Sequence, residues 1–516
     1  MDCEMNKIKK YILALDQGTT SSRSALFDHE VNLLSLAKRS LSQICPEKGW
    51  VENDPEEIWS TQYETILEVI RDVQIQFDQI VGIGISNQRE TTIVWDKKTG
   101  KPIYNAISWS CRRTEEFCKQ LKEEEKELTI YIRNNTGLKV NPYFSGTKLR
   151  WILDNVEKAR ERAEIGELLF GTVDSWLIWR MTNGALHVTD YTNASRTMLF
   201  NIRRLSWDQR IINVLKIPKI ILPRVCSSSK IFAKVIFSNL QRTKIPISSV
   251  MGDQQSSLYG QLCFSFGETK STYGTGCFSL MNIEKRFLIS KNELLTTISC
   301  GPKGESQYAL EGPIPFGGAS IQWLKDQIKI IHSLDDQSIW SNMVDSSEGV
   351  YFIPDSSFDF DSEGWNPFLK GAIIGITRDS NRFHIIRAIL ESITFQNMDI
   401  LECMKKDIGR NDVYRELKVD GNASCNDIMM QFQSNILGIP VKRPAVKERS
   451  ILGTALLAGI TVGFWKDVQE VQCKINEHKI FFPEMTSKEG YMKYLGWKRI
   501  YSILSNLRKS VPKVEN

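Results

Sequence analysis

The sequence predicts an α/β protein built from two domains. Strand-like apolar runs alternate with amphipathic helical patterns, which is typical of α/β architecture. The chain has 516 residues, whereas a single hydrophobic core stops growing at roughly 250–300 residues. A strand, a glycine-containing turn and a second strand open the chain near Tyr11, and the same order returns near Thr272 in STYGTGCFSLMN. The second half therefore repeats the organisation of the first.

The boundary between the two halves is predicted in the segment GQLCFSFGETK, between Gly260 and Lys270. We expect one domain over residues 1–260 and a second over residues 261–516. The sequence contains no long linker and no low-complexity segment.

The composition is that of an ordinary soluble globular protein, with 41% hydrophobic and 25% charged residues. Lysine and arginine number 66 against 61 acidic residues, and this net charge of +5 is too small to indicate a nucleic-acid partner or a membrane surface. The start MDCEMNKIKK lacks the apolar core of a signal peptide, and no apolar run approaches the roughly 20 residues that span a bilayer. We therefore expect a cytoplasmic protein with no membrane insertion.

Cysteine and histidine usage excludes several classes of site. The 11 cysteines are scattered without a CxxC pair, which argues against a disulfide framework and a zinc ribbon. Five histidines leave little material for a metal cage or a Ser-His-Asp triad, and neither a GxSxG motif nor a P-loop is present. We interpret Cys277 and Cys425 as core residues rather than nucleophiles, because no neighbouring histidine supports them.

The opening stretch YILALDQGTTSSRSALFD predicts a buried strand over residues 11–15, followed by a polar turn. Backbone N–H groups of the turn starting at Gly18 make a concave anion site to which the hydroxyl side chains add donors, and Arg23 adds charge-assisted hydrogen bonds to a phosphate. Asp16 would repel a phosphate directly, so it is interpreted as a partner of Mg²⁺, directly or through water. The alternative is an ordinary hairpin turn with Asp16 as a turn residue.

Three further elements follow from the pattern. A helix is predicted in NDPEEIWSTQYETILEVIRDV, with Asp54 as its N-cap and Pro55 at its first position. A buried strand is predicted over residues 80–86, IVGIGIS. The charge run over residues 122–127, KEEEKE, is interpreted as a solvated helix face.

Four predicted strands end in polar groups. They end at Asp16, at residues 87–90, at residues 253–255, and at Asp420 followed by Gly421. Ligands of open α/β sheets bind outside the carboxyl ends of the strands. We therefore expect these ends to converge on one cleft for phosphate, metal and a polar substrate, with Asp16 and Asp253 facing each other across it.

Asp253 and the pair Arg89–Glu90 are candidate substrate residues. The Asp253 carboxylate is placed to accept a proton from a substrate hydroxyl that attacks a γ-phosphate; its alternative role is a helix N-cap. Arg89 as donor and Glu90 as acceptor suit the hydroxyls of a small polyol. The alternative for that pair is a surface ion pair of little energetic value.

Long motifs carry a family resemblance from about Tyr11 to Gly496: ALDQGTTSSR, WVENDPEEIW, SNQRETTIVWDKKTGKPIYNAISW, NPYFSGTKLRWILDN, GTVDSWLIWRMTNG, TDYTNASRTMLFNI, GDQQSSLYGQLC, TYGTGCF, GASIQWL and GAIIGITRDSNRFHIIRAILE. With them the chain resembles the FGGY family of carbohydrate kinases, in particular its members that phosphorylate glycerol. The resemblance implies two actin-like, RNase H-type domains (the actin/hexokinase/Hsp70 ATPase superfamily fold) with an interdomain cleft. It also implies ATP-dependent, Mg²⁺-dependent conversion of glycerol to sn-glycerol 3-phosphate, feeding glycerol catabolism and glycerolipid synthesis, by a homo-oligomer (dimer or tetramer).

The same resemblance implies roles for individual residues, carried over by motif. Asp16 resembles the magnesium-linked carboxylate, and Asp253 the general base. The residues that resemble glycerol binders are Arg89, Glu90, Tyr143, Asp253 and Gln254, with Trp109 and Phe278 as the apolar wall along the carbon chain. The residues that resemble nucleotide contacts are Thr19, Thr20, Ser21, Arg23, Thr275, Gly318 and Gln322, with Gly421, Asn422 and Asn426 in the adenosine loop.

Three segments depart from the family pattern. Asn422 stands where the family usually has a second glycine, and we expect it to weaken ATP binding without abolishing it. The acidic stretch over residues 354–368 replaces a small, apolar, glycine-rich loop, and we have no physical account of it. The stretch NLQRTKIPIS lacks the glycines with which bacterial relatives bind a sugar-bisphosphate inhibitor, so the sequence leaves that regulation open.

Two alternatives to the glycerol hypothesis remain open from the residues. One is a kinase for another small polyol or sugar of the same family; Arg89, Trp109 and Phe278 favour the smaller substrate. The other is a nucleotide-binding relative with impaired catalysis, for which Asn422 and the acidic stretch are the support. An actin-like or chaperone ATPase would leave the polyol-site residues without a purpose.

Overall fold

A computed structural model describes residues 9–237, 244–314, 317–331, 344–354, 358–359, 364–365, 371–410, 412–475 and 478–509. Most of the acidic stretch 354–368 and residues 239–243 of NLQRTKIPIS lie outside the described residues. Within the described ranges, no helix combines the length and the apolar character needed to cross a membrane.

The first half of the chain is organised around a six-stranded sheet in the order β13-β14-β5-β1-β2-β3. Strands β1, β2 and β3 form an antiparallel meander, whereas β5 runs parallel to β1 and β14 parallel to β5. The strands of this half are β1 (Tyr11–Gln17), β2 (Ser21–Phe27), β3 (Leu33–Ser40), β4 (Glu52–Asn53), β5 (Ile80–Asn87), β6 (Ile93–Asp96), β7 (Ala106–Ile107), β8 (Leu168–Gly171), β9 (Val188–Asp190), β10 (Phe200–Asn201), β11 (Ser206–Trp207), β12 (Arg224–Cys226), β13 (Ser229–Val235) and β14 (Ile245–Gly252).

Helices of the first half cover one face of this sheet and build an additional layer beside it. They are α1 (Pro55–Asp72), α2 (Glu115–Glu124), α3 (Lys126–Thr136), α4 (Ser145–Asn155), α5 (Ala159–Glu164), α6 (Val173–Met181), α7 (Tyr191–Ala194), α8 (Gln209–Val214) and α9 (Asp253–Gly260), with 3₁₀ turns at Phe77–Gln79 and Lys219–Ile221. One core joins β1, β5 and β14 to α1 and α6, where Trp95 and Trp176 are fully buried. A second core gathers residues of α2, α3, α4, α5 and α8.

The second half contains a seven-stranded sheet in the order β17-β18-β16-β15-β23-β24-β25. Its strands are β15 (Thr269–Tyr273), β16 (Cys277–Glu284), β17 (Leu295–Cys300), β18 (Ser306–Ile314), β19 (Tyr351–Ile353), β20 (Phe358–Asp359), β21 (Gly364–Trp365), β22 (Ala372–Ile374), β23 (Leu417–Asp420), β24 (Val441–Pro444) and β25 (His478–Phe481). As in the first sheet, an antiparallel hairpin, β15–β16, is followed by strands that run parallel to its first strand, β23 and β24. The two halves thus share one organisation, as the duplicated hairpin predicts.

The helices of the second half are α10 (Gly318–Asp326), α11 (Arg382–Ile408), α12 (Asp427–Leu437), α13 (Arg449–Thr461), α14 (Val468–Lys474) and α15 (Ser487–Lys509), with a 3₁₀ turn at Asn422–Cys425. Helix α11 packs on the second sheet, and α12 and α15 pack with it through aromatic side chains such as Phe395 and Trp497.

The local predictions are confirmed with small changes of boundary. Helix α1 spans Pro55–Asp72, and the Asp54 side chain accepts a hydrogen bond from the backbone N–H of Glu56. Strand β5 spans Ile80–Asn87. The charged run 122–127 is fully exposed, but it is split between two helices, because the backbone leaves helical geometry at Glu125.

Helix α13 crosses from the second half to the first. Its apolar residues, among them Leu456 and Ala458, pack against Ile12 and Ala14 of β1 in a buried cluster. The division into residues 1–260 and 261–516 stays a prediction, and in space α13 lies on the first sheet.

Glycine makes this crossing close. A Cβ atom on Gly453 of α13 would lie 1.8 Å from the backbone oxygen of Ser256 in α9, and one on Gly84 of β5 would lie 2.4 Å from the backbone oxygen of Thr454. Both contacts involve backbone atoms, which cannot move aside as a flexible side chain would.

We expect Gly453→Ala to destabilise the protein by about 1–3 kcal/mol, because the added methyl group overpacks the α9–α13 contact. In an open helix the same change would stabilise by about 1 kcal/mol, so the sign of the effect is diagnostic. The measurement is the midpoint of thermal unfolding. Gly409→Ala at the end of α11 is the comparison for backbone strain without overpacking, because its φ of +73° disfavours a side chain while no atom of the described residues lies within 4 Å of the added Cβ. An unfolding midpoint for Gly453→Ala equal to or above that of the parent would contradict the close crossing.

Candidate active site

Three polar strand ends of the first half lie at one edge of the sheet. The register pairs Gln17 of β1 with Asn87 of β5, and Asn87 with Gly252 of β14. Strands β1, β5 and β14 all end at this edge, so Asp16, Arg89 and Asp253 are brought together as the sequence predicts.

Asp16 is a buried carboxylate, 1% exposed, although the strand continues through it to Gln17. One of its oxygens, Oδ2, lies 2.6 Å from the Arg23 guanidinium and accepts a hydrogen bond from Ser450 at 3.1 Å. The other oxygen, Oδ1, has no hydrogen-bond partner among the described residues. A buried carboxylate oxygen without a donor suits a hard cation such as Mg²⁺, which binds few carboxylates and keeps several waters. No cluster of three or more His, Cys, Asp or Glu side chains suited to a metal exists among the described residues.

Arg23 is shared between two carboxylates. Its guanidinium pairs with Asp16 and also with Glu448, which precedes α13. Because α13 belongs to the second half of the chain, this ion pair ties the first hairpin to the second half. The sequence predicts Arg23 as a phosphate ligand, and the structure adds Glu448 as a competing partner.

The predicted phosphate turn is a tight hairpin loop. The backbone N–H of Gly18 donates to the Ser21 carbonyl at 2.9 Å, and the carbonyl of Thr20 accepts from Leu41 at 2.9 Å. The Thr20 side chain is exposed, whereas Ser21 is buried. The hydroxyl of Thr19 accepts a hydrogen bond from the Trp109 indole at 2.8 Å.

Arg89 is buried and held by Glu311 of β18. Its two terminal nitrogens donate to the two Glu311 oxygens at 2.6 and 2.9 Å, and Nε lies 3.3 Å from Asp253. Glu311 also accepts from Arg196 at 3.0 Å. Burial by itself would raise the pKa of Glu311, but Arg196 and Arg89 together lower it to about 2. Arg89 therefore belongs to a buried ionic network, and the surface-pair alternative for Arg89 and Glu90 is wrong.

Glu90 pairs with Arg196 rather than with its neighbour. Arg196 Nε donates to the Glu90 carboxylate at 2.6 Å, and both side chains are almost fully buried. The backbone of Glu90 has φ +62°, in the left-handed region that non-glycine residues rarely adopt. Its carbonyl accepts from the Ser145 hydroxyl at 2.9 Å, which holds the unusual turn in place.

Asp253 begins α9 and faces this network. The N-cap is Gly252 and not Asp253, and Asp253 accepts a hydrogen bond from the backbone N–H of Gln254 at 2.7 Å. Burial raises the pKa of Asp253 to about 6; Arg89 acts against the rise, whereas Asp16 and Glu90 add to it. Asp16 and Asp253 thus stand at the same edge of the first sheet, where the register of β1, β5 and β14 places the ends of their strands side by side.

Three aromatic rings line the same region. Trp109 packs edge-on against Tyr143 at 5.6 Å and against Phe278 at 6.3 Å between ring centroids. The Arg89 guanidinium lies 5.7 Å from the Phe278 ring. All three rings are partly exposed, so an apolar wall stands beside the charged network, as the motifs imply.

The residues expected to contact a nucleotide fall into two groups. Thr275, Gly318 and Gly421 lie around the second hairpin turn: the N–H of Ala319 donates to the Thr275 carbonyl at 3.0 Å, and that of Gly318 to the Gly274 carbonyl at 2.9 Å. A Cβ on Gly421, whose φ is +87°, would lie 2.6 Å from the Tyr273 carbonyl oxygen. These close backbone contacts leave no room for a side chain at Gly318 or Gly421.

The side chains of the other three make no hydrogen bond to that turn within the described part of the chain. Gln322 is exposed and donates to Asp326 of its own helix at 2.6 Å. Asn426 caps α12 by accepting a hydrogen bond from the backbone N–H of Met429 at 2.9 Å, and within the described ranges its Nδ2 has no hydrogen-bond partner. Asn422 is exposed at the start of a 3₁₀ turn and has no positive φ, so the unusual backbone angle falls on Gly421 instead.

Comparison with known proteins identifies the family. Residues 11–260 match the N-terminal domain of the FGGY family of carbohydrate kinases, and residues 269–462 match its C-terminal domain. The chain belongs to the FGGY family of carbohydrate kinases. A glycerol kinase of Photorhabdus laumondii is 55% identical over 491 residues, 95% of this chain and 97% of that protein. A glycerol kinase of Escherichia fergusonii is 54% identical over the same shares.

Solved structures of the FGGY family have the same fold. A Plasmodium falciparum glycerol kinase with ADP superposes with a TM-score of 0.87 at 33% identity, covering 98% of this chain and 99% of that one. A gluconate kinase of Lactobacillus acidophilus has a TM-score of 0.82 at 21% identity, covering 96% and 98%, which supports the fold alone. The chain therefore has the two-domain RNase H-like, actin/hexokinase fold expected for an FGGY kinase.

Four site residues of this FGGY kinase were not singled out from the sequence: Arg196, Lys270, Glu311 and Glu448. Glu311 stands as a lone carboxylate in the apolar strand YALEGPI, which is a recognisable signal, because an unpaired charge inside a buried strand is costly. Arg196 lies in the motif TDYTNASRTMLFNI without any comparable signal.

We expect Glu311→Gln to destabilise the protein by on the order of 3 kcal/mol, because it leaves two buried arginines without their shared carboxylate. The midpoint of urea unfolding measures the effect. The matched control is Glu115→Gln, which removes a surface ion pair with Arg112 at 2.6 Å between side chains 48% and 36% exposed; such a pair contributes less than about 1 kcal/mol. Equal midpoints for the two variants would contradict the role of Glu311.

Proposed function

We propose that this FGGY kinase is a glycerol kinase, which transfers the γ-phosphoryl group of ATP to glycerol and forms sn-glycerol 3-phosphate. Membership of a carbohydrate kinase family and the two curated glycerol kinases at 54–55% identity support the reaction. The observation that carries the proposal is the juxtaposition of Asp253, Arg89 and Glu90 beside the Trp109–Phe278 wall. Such a site offers a proton acceptor, hydroxyl-binding charges and an apolar surface to a small polyol.

Asp253 is proposed as the general base. Its raised pKa of about 6 leaves the carboxylate ionised at neutral pH, yet more basic than an ordinary aspartate. It would accept the proton of the glycerol hydroxyl as that oxygen attacks phosphorus. The contact of Asp253 with Arg89 at 3.3 Å orients the carboxylate toward the substrate-binding charges.

Substrate selection is proposed to rest on paired hydrogen bonds and on size. Arg89 supplies donors and Glu90 an acceptor, and the ionic network with Arg196 and Glu311 holds both side chains before substrate binds. Trp109 and Phe278 would pack along the carbon chain, so a longer sugar would collide with the aromatic wall.

We assign phosphate and metal binding to the first hairpin, β1–β2. Thr19, Thr20 and Ser21 present donors to the phosphates, and the Oδ1 oxygen of Asp16 fits Mg²⁺. When bound, Mg²⁺ neutralises the negative charge of the phosphoryl oxygens. Arg23 would contact phosphate once its pairing with Glu448 is given up.

We propose that residues of the second half make the remaining contacts to the nucleotide. Those near the phosphates are Thr275, Gly318 and Gln322, and those at the adenosine are Gly421, Asn422 and Asn426. The Nδ2 of Asn426, which has no hydrogen-bond partner in the described part of the chain, supports a polar contact there. A homo-oligomer, dimer or tetramer, stays a prediction that light scattering on the purified protein would test.

We expect Asp253→Asn to lower kcat by roughly 10²–10⁴-fold, because the amide cannot accept the hydroxyl proton. The measurement is glycerol-dependent ADP release. The matched control is Asp78→Asn, an exposed aspartate in the 3₁₀ turn Phe77–Gln79, which should leave the rate unchanged. Turnover of Asp253→Asn near that of the parent would remove the base assignment.

The pH dependence of kcat/KM should reflect the titration of the Asp253 carboxylate. Since the active form of Asp253 is deprotonated and its pKa lies at about 6, kcat/KM for glycerol should fall tenfold per pH unit below that value and level off above it. The profile is measured between pH 5 and pH 8, because the rate should be half-maximal near pH 6 and should reach its plateau roughly one unit above that value. A profile that is flat through this acidic limb would contradict a base with a raised pKa.

A further inference from the structure

Lys270 is a buried cation next to the substrate-binding residues. It lies on β15, is 0% exposed, and donates from Nζ to the side-chain oxygen of Gln254 and, at 2.7 Å, to the hydroxyl of Thr272. No carboxylate oxygen of the described residues lies within 4.0 Å of this ammonium group. Burial lowers the pKa of Lys270 to about 8, with Asp420 and Asp253 acting against the fall, so the side chain is mostly charged at neutral pH.

The contact with Gln254 has only one chemically allowed arrangement. An ammonium group donates three hydrogen bonds and accepts none, so it is the carbonyl oxygen Oε1 of the Gln254 amide that faces Lys270. The amide nitrogen Nε2 then faces away from Lys270, and it donates to no other residue in the described part of the chain. Turning the amide over would set an NH₂ group against the ammonium and cost the hydrogen bond.

Gln254 is placed where this orientation matters. It follows Asp253 at the start of α9, and its backbone N–H donates to the Asp253 carboxylate at 2.7 Å. An amide fixed with Nε2 outward offers a donor to an oxygen next to Asp253, whereas a turned amide would offer an acceptor.

Lys270 is itself held by a chain of hydroxyls. Thr272 Oγ1 lies 3.2 Å from the Ser257 hydroxyl, which donates to Asp420 at 2.8 Å. The chain of contacts reaches from the carboxyl end of β23, through α9, to Gln254. The position of the ammonium group is therefore set by both halves of the protein.

We propose that Lys270 is a positioning residue that fixes the side-chain amide of Gln254, so that Nε2 rather than Oε1 faces a hydroxyl oxygen of the polyol substrate. The inference rests on the proposed glycerol kinase function and deepens it, because it assigns donor character to one contact of the substrate site. Glycerol hydroxyls accept as well as donate, so a fixed donor beside Asp253 favours the arrangement in which the reacting hydroxyl donates to that carboxylate.

The test is a double-mutant cycle on glycerol KM with Lys270→Met and Gln254→Ala. Lys270→Met keeps the length of the side chain and removes its charge, and we expect it to raise glycerol KM by about three- to tenfold, the value of one hydrogen bond. In the Gln254→Ala background the same change should have no further effect on glycerol KM, since no amide remains to be oriented. The KM for ATP should stay within twofold in all variants, on the order of experimental scatter.

Two further variants separate positioning from a merely structural role. Lys270→Arg, whose guanidinium also only donates, should restore glycerol KM toward the parent value. Lys98→Met, at an exposed lysine, is the matched control for the substitution and should leave glycerol KM unchanged. Thermal unfolding shows whether each variant is folded. If the methionine variant is not, Lys270→Gln replaces it in the same cycle, because its amide both donates and accepts and so no longer fixes the Gln254 amide; the same rise in glycerol KM is expected, and an unchanged KM overturns the inference.

The outcomes distinguish the two proposals. A parent protein that releases no ADP with glycerol overturns the proposed function and this inference with it. If the parent is active, two outcomes overturn the inference alone. In one, Lys270→Met leaves glycerol KM unchanged; in the other, it raises glycerol KM equally in the presence and absence of the Gln254 amide. Loss of the Lys270→Met effect in the Gln254→Ala background, together with restoration by arginine, supports it.

Discussion

The site of this FGGY kinase depends on one buried ionic network, in which Glu311 holds Arg89 and Arg196. Charges removed from water are tolerated only when oppositely charged groups and hydrogen bonds compensate them. Here each cation has a carboxylate partner, and Glu90 completes the set by pairing with Arg196. Because Glu311 comes from the second sheet and Arg89 from the end of β5 in the first, the network also sets how the two halves meet.

A second constraint brings the phosphate turn into the same place. Helix α13 lies close to α9 because Gly453 has no side chain, and close to the first sheet because Gly84 of β5 has none. This close approach carries Glu448 and Ser450 to the first hairpin, where they contact Arg23 and Asp16. These contacts engage Oδ2 of Asp16, whereas Oδ1 has no partner among the residues that the structure describes. Packing far from the chemistry therefore decides which atom is available to a cation.

The binding surface is thus arranged before any ligand arrives. The strained backbone of Glu90, with φ +62°, is held by Ser145, and the Trp109 indole is tied to Thr19 of the phosphate turn. The latter hydrogen bond joins the apolar wall of the polyol region to the turn that is proposed to bind phosphate. An arrangement fixed in this way favours in-line transfer, since little reorganisation remains for the reaction itself.

The sequence by itself determined the α/β class, the duplicated hairpins, helix α1 with its Asp54 cap, and the strand ends that carry Asp16, Arg89 and Asp253. These features follow from local patterns: apolar periodicity, capping residues and polar groups at the ends of buried strands. Only the tertiary structure decided the partners, because Arg89 and Glu311 are 222 positions apart and Arg23 and Glu448 are 425 apart. No local pattern encodes which distant strand or helix packs against another, so the ion pairs, the raised pKa of Asp253 and the orientation of Gln254 appear only when the chain is folded.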